Sequence, residues 1–212
     1  MPSTIYLVRH AESAHNVSKD FSLRDPGLTE AGLAQASSLA ASFPALSSVA
    51  AVLASPLTRT LETALAGFGA ILVSSKHDGG GSANLILDPD LQERSDLPCD
   101  TGSDAASLKA RFPALDFSSL APQWFVKEGA NAADGDAVKA RAQAVRQRLG
   151  QLVRALEERQ GGGRQDVVVV THGVFMKFLV EDGSIDLPKA GWKAFRIGER
   201  EEGGGVALVP VE

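Results

Sequence analysis

Two kinds of hydrophobic pattern alternate along the chain. Short β-branched and aliphatic runs mark buried strands, and longer segments with apolar residues every three or four positions mark helices. Residues 4–9, Thr-Ile-Tyr-Leu-Val-Arg, read as a central strand. From Leu28 to Phe43 the spacing of Leu33, Ala36, Leu39 and Phe43 predicts a helix, with Thr29 as N-cap and Pro44 as its stop. Val49 to Ala54 predicts a second buried strand. Ser55-Pro56 then reads as an N-cap followed by proline at the first helical position, and Leu57, Leu61, Leu65 and Phe68 form the apolar face of that helix. Leu85 to Leu87 is a third short strand. Val138, Ala142, Val145, Leu149, Leu152 and Leu156 predict the clearest helix, Asp136 to Arg159, ended by Gly161-Gly162-Gly163. The four consecutive valines in Asp166 to Thr171 are the strongest strand signal, and Gly173 to Val180 reads as the next helix. Trp192 to Ile197 and Val206 to Val211 suggest two last strands across Gly203-Gly204-Gly205.

Two stretches break this rhythm. Residues 74–83, rich in glycine and serine, read as a flexible loop. Residues 92–135 hold prolines, small residues and two apolar patches, Leu115/Phe117 and Trp124/Phe125. They read as an insertion with short helices inside one domain spanning 1–212. Strands alternating with helices imply an α/β/α sandwich on a mostly parallel sheet, whose ligands bind at the carboxyl ends of the strands. Arg9-His10, Ser55 with Arg59, Glu93 and His172 each follow a predicted strand end. Four segments therefore deliver polar groups toward one rim.

Composition narrows the chemistry. The chain has 212 residues and a net charge of −5, which fits one domain and argues against bulk nucleic-acid or anionic-membrane binding. A single cysteine, Cys99, excludes an internal disulfide framework and, with no visible targeting or membrane segment, suggests a cytoplasmic protein. Cys99 reads as structural, because no specific cause for a lowered thiol pKa is visible. Only four histidines are present, His10, His15, His77 and His172; His15 reads as a rim residue and His77 as solvated.

Each candidate segment is ambiguous alone. A strand ending in Arg9-His10 reads equally as a salt-bridged arginine beside a structural histidine. Arg59, in the first turn of a helix, combines a planar cationic fork with backbone N–H groups that favour an anion, yet it also reads as a solvent-facing side chain. His172 follows a buried strand and precedes Gly173, which permits close backbone approach to a ligand; a core histidine satisfied by a carbonyl is the plainer alternative.

Together the segments resemble the histidine phosphatase superfamily, the phosphoglycerate mutase-like fold, from about Thr4 to Leu179. Arg9-His10-Ala11-Glu12-Ser13, with Asn16 beyond, matches the first signature. Ser55-Pro56-Leu57-Thr58-Arg59-Thr60, Leu91-Gln92-Glu93 and Thr171-His172-Gly173 match the others in order. The departure is Ala11 where glycine is usual, which requires a backbone compatible with a side chain. The resemblance implies His10 as nucleophile, and Arg9, Arg59 and His172 as holders of the phosphoryl oxygens. Asn16, Ser13 and Gly173 are further phosphate contacts, and Glu93 is the general acid and base with its pKa raised by the bound phosphate. No metal or other cofactor is required, because the cations are side chains.

Glu93-Arg94-Ser95-Asp96 lacks the tyrosine and glycine that usually follow the acid in the mutases, and the chain is short. The expectation is therefore a phosphatase acting on small-molecule phosphate monoesters, as a monomer or homodimer. A mutase-type phosphotransferase and a catalytically weak phosphoester-binding module are the alternatives. The insertion at 95–135 is expected to form a lid. Trp124 and Phe125 are read as core beneath it, and Lys109, Arg111 and Lys127 as solvated surface.

Overall fold

A computed structural model describes residues 2–72, 82–159, 163–199 and 205–211. Most of the 74–83 loop with His77, most of the Gly161–Gly163 stop, and the Gly203–Gly205 turn except its last residue lie outside the described residues. Chain order is β1 (Ile5–Arg9), α1 (Ala14–Ser18), α2 (Glu30–Ser42), β2 (Val49–Ala54), α3 (Thr58–Leu72), β3 (Asn84–Leu87), α4 (Ala105–Arg111), α5 (Gly135–Glu157), β4 (Asp166–Thr171), α6 (Gly173–Leu179), β5 (Trp192–Glu199) and β6 (Val206–Pro210). The six strands form one sheet in the order β3-β2-β4-β1-β5-β6. The first four are parallel, and β5 and β6 complete the sheet antiparallel.

Period-two alternation of the strands divides the interior in two. Ile5, Leu7, Leu53, Val167 and Val169 face one side, where they pack with α5 and α6. Tyr6, Val8, Val52, Val168 and Val170 face the other, with α2, α3 and the apolar residues of the insertion. The insertion is therefore built on the second core. Trp124 is buried there, and its indole N–H donates to the Ser103 carbonyl at 3.1 Å. Phe125 is partly buried, with the Arg24 guanidinium 5.2 Å from its ring centre.

Register places the site. Arg9 pairs with Thr171 and Ala54 with Val170, so β1, β2 and β4 end together. The next residues, His10, Ser55 and His172, stand side by side; the His10 N–H donates to Thr171 O at 3.0 Å and the Ser55 N–H to Val170 O at 3.2 Å.

Three local expectations are corrected. Helix α3 begins at Thr58, and Ser55-Pro56 lies before it rather than capping it. Asp25 caps the helix from a distant loop: its carboxylate accepts the Thr58 N–H and the Thr58 hydroxyl, both at 2.9 Å, and also the Ser103 hydroxyl at 2.8 Å. The Ser55 hydroxyl accepts the Leu57 N–H at 3.4 Å, just ahead of the helix, and also faces His172 Nε2 at 3.1 Å. Leu33, expected on the inner face of α2, is exposed; Gly32, Ala36 and Leu39 are the buried positions. The five residues of α1 carry no apolar periodicity and were not expected as a helix.

Replacing Asp25 with alanine leaves a buried N–H and a buried hydroxyl without an acceptor. We expect a loss of about 1–3 kcal/mol, measured by urea or thermal unfolding. An unchanged unfolding midpoint contradicts the capping role.

Candidate active site

A cavity of about 290 Å³ opens at the carboxyl ends of the parallel strands. Arg9 and His10 reach it from the end of β1, Arg59 from the first turn of α3, Glu93 from the loop after β3, and Gly173 from the start of α6. Asn16, on α1, also lines it.

The hydrogen bonds of His10 assign its tautomer. Its Nδ1 lies 2.7 Å from Ala11 O, which can only accept, so Nδ1 carries the proton. Nε2 is then an unprotonated lone pair, and the Arg59 Nε–H donates to it at 3.3 Å. Burial, then the charges of Arg59 and Lys189, hold the His10 pKa well below the ordinary imidazole value. Ala11 is not among the residues with positive φ, so the site accepts a side chain where glycine is usual.

Arg59 is fully buried and ties the site together. Its Nη1 donates to Cys99 O at 2.6 Å. Its Nη2 donates to Asp100 Oδ1 at 2.7 Å and to His172 Nδ1 at 3.1 Å. His172 therefore carries its proton on Nε2, 3.1 Å from Ser55 Oγ. His172 is itself fully buried, its ring centre 5.2 Å from that of His10, with its pKa held well below the usual value by burial and by Arg59.

Glu93 faces the start of α6. Its Oε1 accepts the Phe175 N–H at 2.8 Å and its Oε2 the Val174 N–H at 3.1 Å. Burial and the nearby Asp100 carboxylate raise its pKa despite these bonds. The rise therefore has its cause within the protein and does not need the bound phosphate expected to supply it. The acid loop is anchored from three sides. Thr171 Oγ1 donates to Leu91 O at 2.8 Å, Arg141 of α5 to Gln92 O at 2.6 Å, and Lys127 Nζ to Glu93 O at 2.7 Å. Lys127 is thus engaged and half-buried, and burial lowers its pKa to about 7; it is not a solvated surface group. Lys109 donates to Leu115 O, and Arg111 pairs with Glu62.

Two expectations change. At Gly173 the expectation is a ligand close to the backbone. What approaches it is the Arg9 guanidinium, 3.1 Å from where a Cβ would stand. Ser13 is buried and does not line the cavity. Its hydroxyl donates to Asn16 Oδ1 and accepts from His15 Nδ1, while Asn16 Nδ2 donates to His15 Nε2, each at 3.0 Å. This closed ring leaves one Asn16 N–H for the cavity. His15 is neutral, its pKa lowered to about 4 by burial and by Arg59.

Acidic partners of the arginines were not visible in the sequence. Arg9 Nη1 donates to Asp186 Oδ1 at 2.8 Å, and Arg59 faces Asp100, whose other oxygen accepts the Ser95 hydroxyl at 2.6 Å. Arg141 was missed too, although its place on the apolar stripe of α5 was a signal. Cys99 is buried in the cavity wall, and burial together with Asp100 raises its thiol pKa to about 11, so it stays protonated. Among the described residues no cluster of three His, Cys, Asp or Glu side chains is placed to hold a metal ion, and no helix is long and apolar enough to cross a membrane.

A family model for the histidine phosphatase superfamily (branch 1) matches residues 5–201. The chain belongs to that family. It is 32% identical over 147 residues to a phosphoglycerate mutase-like protein of Arabidopsis thaliana, covering 55% of this chain and 54% of that one. It is 33% identical over 119 residues to a probable phosphatase of Schizosaccharomyces pombe, covering 55% and 52%. The chain thus spans about half the length of these curated relatives. Among solved structures, a putative alpha-ribazole-5'-P phosphatase from Escherichia coli shares the fold, with a TM-score of 0.58 at 18% identity over 100% of this chain and 97% of that one.

Nitrogen-15 NMR of the four histidines tests the tautomer assignment. His10 should stay neutral, with its proton on Nδ1, through pH 6 and below. Titration of its ring near the ordinary value of about 6.5 contradicts it.

Proposed function

We propose that this chain is a phosphatase of small-molecule phosphate monoesters, acting through a phosphohistidine on His10. The observation that carries this reading is the unprotonated Nε2 of a neutral, buried imidazole at the mouth of a cationic cavity, with a carboxyl of raised pKa in the same wall. A phosphoryl group entering the cavity takes the Arg59 Nε–H away from His10 and frees the lone pair. Nε2 then attacks phosphorus as the phosphorus–oxygen bond to the alcohol breaks, and protonated Glu93 gives its proton to the departing oxygen. The positive charge that develops on the ring is held by Ala11 O at Nδ1. In the second half water attacks phosphorus, Glu93 takes the proton of that water, and orthophosphate leaves with His10 restored. Arg9, Arg59 and the free N–H of Asn16 serve the phosphoryl oxygens; His172, expected to join them, is fully buried outside the cavity lining with its Nε2–H on Ser55, and it positions Arg59 instead. Positioning supplies most of the rate. In this reading no metal takes part.

The family membership and the phosphatase named among the relatives support hydrolysis over a binding role. In this reading the chain is one domain, and the insertion at 95–135 closes one side of the cavity, to which it contributes Leu97, Cys99 and Asp100. The protein works in the cytoplasm, as a monomer or homodimer.

With p-nitrophenyl phosphate as substrate, His10→Ala should abolish turnover, and a chelator should leave the wild type unaffected. Glu93→Gln should lower kcat/KM for alkyl phosphates by about 10²- to 10⁴-fold and kcat/KM for this activated aryl ester far less. Turnover retained in His10→Ala, loss with chelator, or an equal fall of kcat/KM for both ester classes contradicts the mechanism.

A further inference from the structure

The loop between α6 and β5 returns to the site as Asp186–Gly191 and is fastened to the strand that carries the nucleophile. The Arg9 N–H donates to Gly191 O at 3.0 Å, and the Ala190 N–H donates to His10 O at 3.4 Å. Ala190 adopts a left-handed conformation, φ 55°, which an alanine takes only when its surroundings hold it there. This turn sets the preceding residue, Lys189, in the cavity wall beside His10.

Among the cations of the cavity, Lys189 differs from the two arginines. Arg9 is paired with Asp186 and Arg59 with Asp100, so each arginine already faces a carboxylate. Among the described residues, no carboxylate or carbonyl accepts a hydrogen bond from the Lys189 ammonium. Asp186, the acidic residue of the Asp186–Gly191 segment, pairs with Arg9. A monoester dianion brings two negative charges into a site where Glu93 and Asp100 stand close together. The paired arginines offer directed N–H groups but little uncompensated charge. Lys177 also lines the cavity, but it is the Lys189 charge that bears on His10, His15 and His172.

We propose that Lys189 is a phosphoryl-binding residue, whose ammonium meets the charge of the transferring group that the aspartate-paired arginines leave uncompensated. This rests on the phosphatase reading above and assigns a role outside the four sequence segments that led to it. The ammonium is poised to respond to pH. Burial, then the charges of Arg9 on β1 and Arg59 on α3, lowers its pKa to about 8, with Glu93 opposing and Lys19 adding to the effect. The charged form prevails below that pH and is lost above it, so phosphate affinity should fall as pH rises through about 8.

The test compares wild type, Lys189→Gln and Lys189→Arg on p-nitrophenyl phosphate between pH 6 and 10, with inorganic phosphate as competitive inhibitor. Lys189→Gln should lose about a hundredfold in kcat/KM, inhibit poorly with phosphate and lack the alkaline decline. Lys189→Arg should keep most activity and shift that decline upward. An unchanged kcat/KM in Lys189→Gln, or a loss that keeps the wild-type alkaline decline, overturns the proposal. Should Lys189→Gln fold poorly, the upward shift in Lys189→Arg, or its absence, decides alone. Thermal melting with and without inorganic phosphate separates the two claims. A wild type that phosphate stabilises and Lys189→Gln does not, with no turnover in either, upholds Lys189 and overturns the phosphatase reading.

Discussion

A fully buried guanidinium organises this site. Arg59 has no exposed surface, yet its three nitrogens reach two histidines, a backbone carbonyl and a carboxylate drawn from β1, β4 and the insertion. A charge removed from water is tolerated only when its donors are satisfied, and taking away one partner of such a pair costs about 3–5 kcal/mol. Asp100 is therefore the structural counterpart of Arg59. It also has a chemical consequence, because its charge helps raise the pKa of Glu93. One ion pair thus holds the strand ends together and keeps a neighbouring carboxyl disposed toward protonation.

The same arrangement prepares a histidine for the nucleophilic role proposed for it. His10 is neutral because it is buried beside cations, and its proton is directed to Nδ1 by a single carbonyl. The lone pair that remains faces Arg59, so the site is internally paired: histidine to arginine, arginine to aspartate. In the proposed mechanism a phosphoryl group competes for the arginine donors and releases the nucleophile in the same event, so that one set of hydrogen bonds couples binding to activation.

Much of this was legible in the sequence. Parallel strands buried on both faces need uninterrupted apolar runs, so Val49–Ala54 and the four valines of β4 announced themselves. The residues directly beyond strand ends had to meet at one edge: Arg9, His10, Arg59 and Glu93 line one cavity, while Ser55 and His172, expected at the same rim, lie fully buried outside its lining. What escaped was the pairing between distant segments. Nothing in the neighbourhood of Asp25 marks it as the cap of α3, and nothing near Asp100 or Asp186 marks them as arginine partners, because those contacts exist only once the loops are folded. Ser55-Pro56 is displaced from the helix start for the same reason: a carboxylate from elsewhere takes the Thr58 N–H, and the Ser55 hydroxyl accepts only the Leu57 N–H ahead of the helix while facing His172. Lys189 depends on a left-handed alanine, a conformation that sequence does not announce at a residue other than glycine.

The central claim is that phosphoryl transfer passes through the Nε2 of His10, and isolating the covalent intermediate tests it most directly. Glu93→Gln should form the intermediate from p-nitrophenyl phosphate, whose leaving group needs little protonation, and release it slowly for want of a base. Quenched in alkali during turnover and digested, the protein should carry a phosphoryl group on the peptide containing His10, localised to that residue by mass spectrometry. A burst of nitrophenol with no phosphoryl group on His10, or with the group on another side chain, contradicts the account.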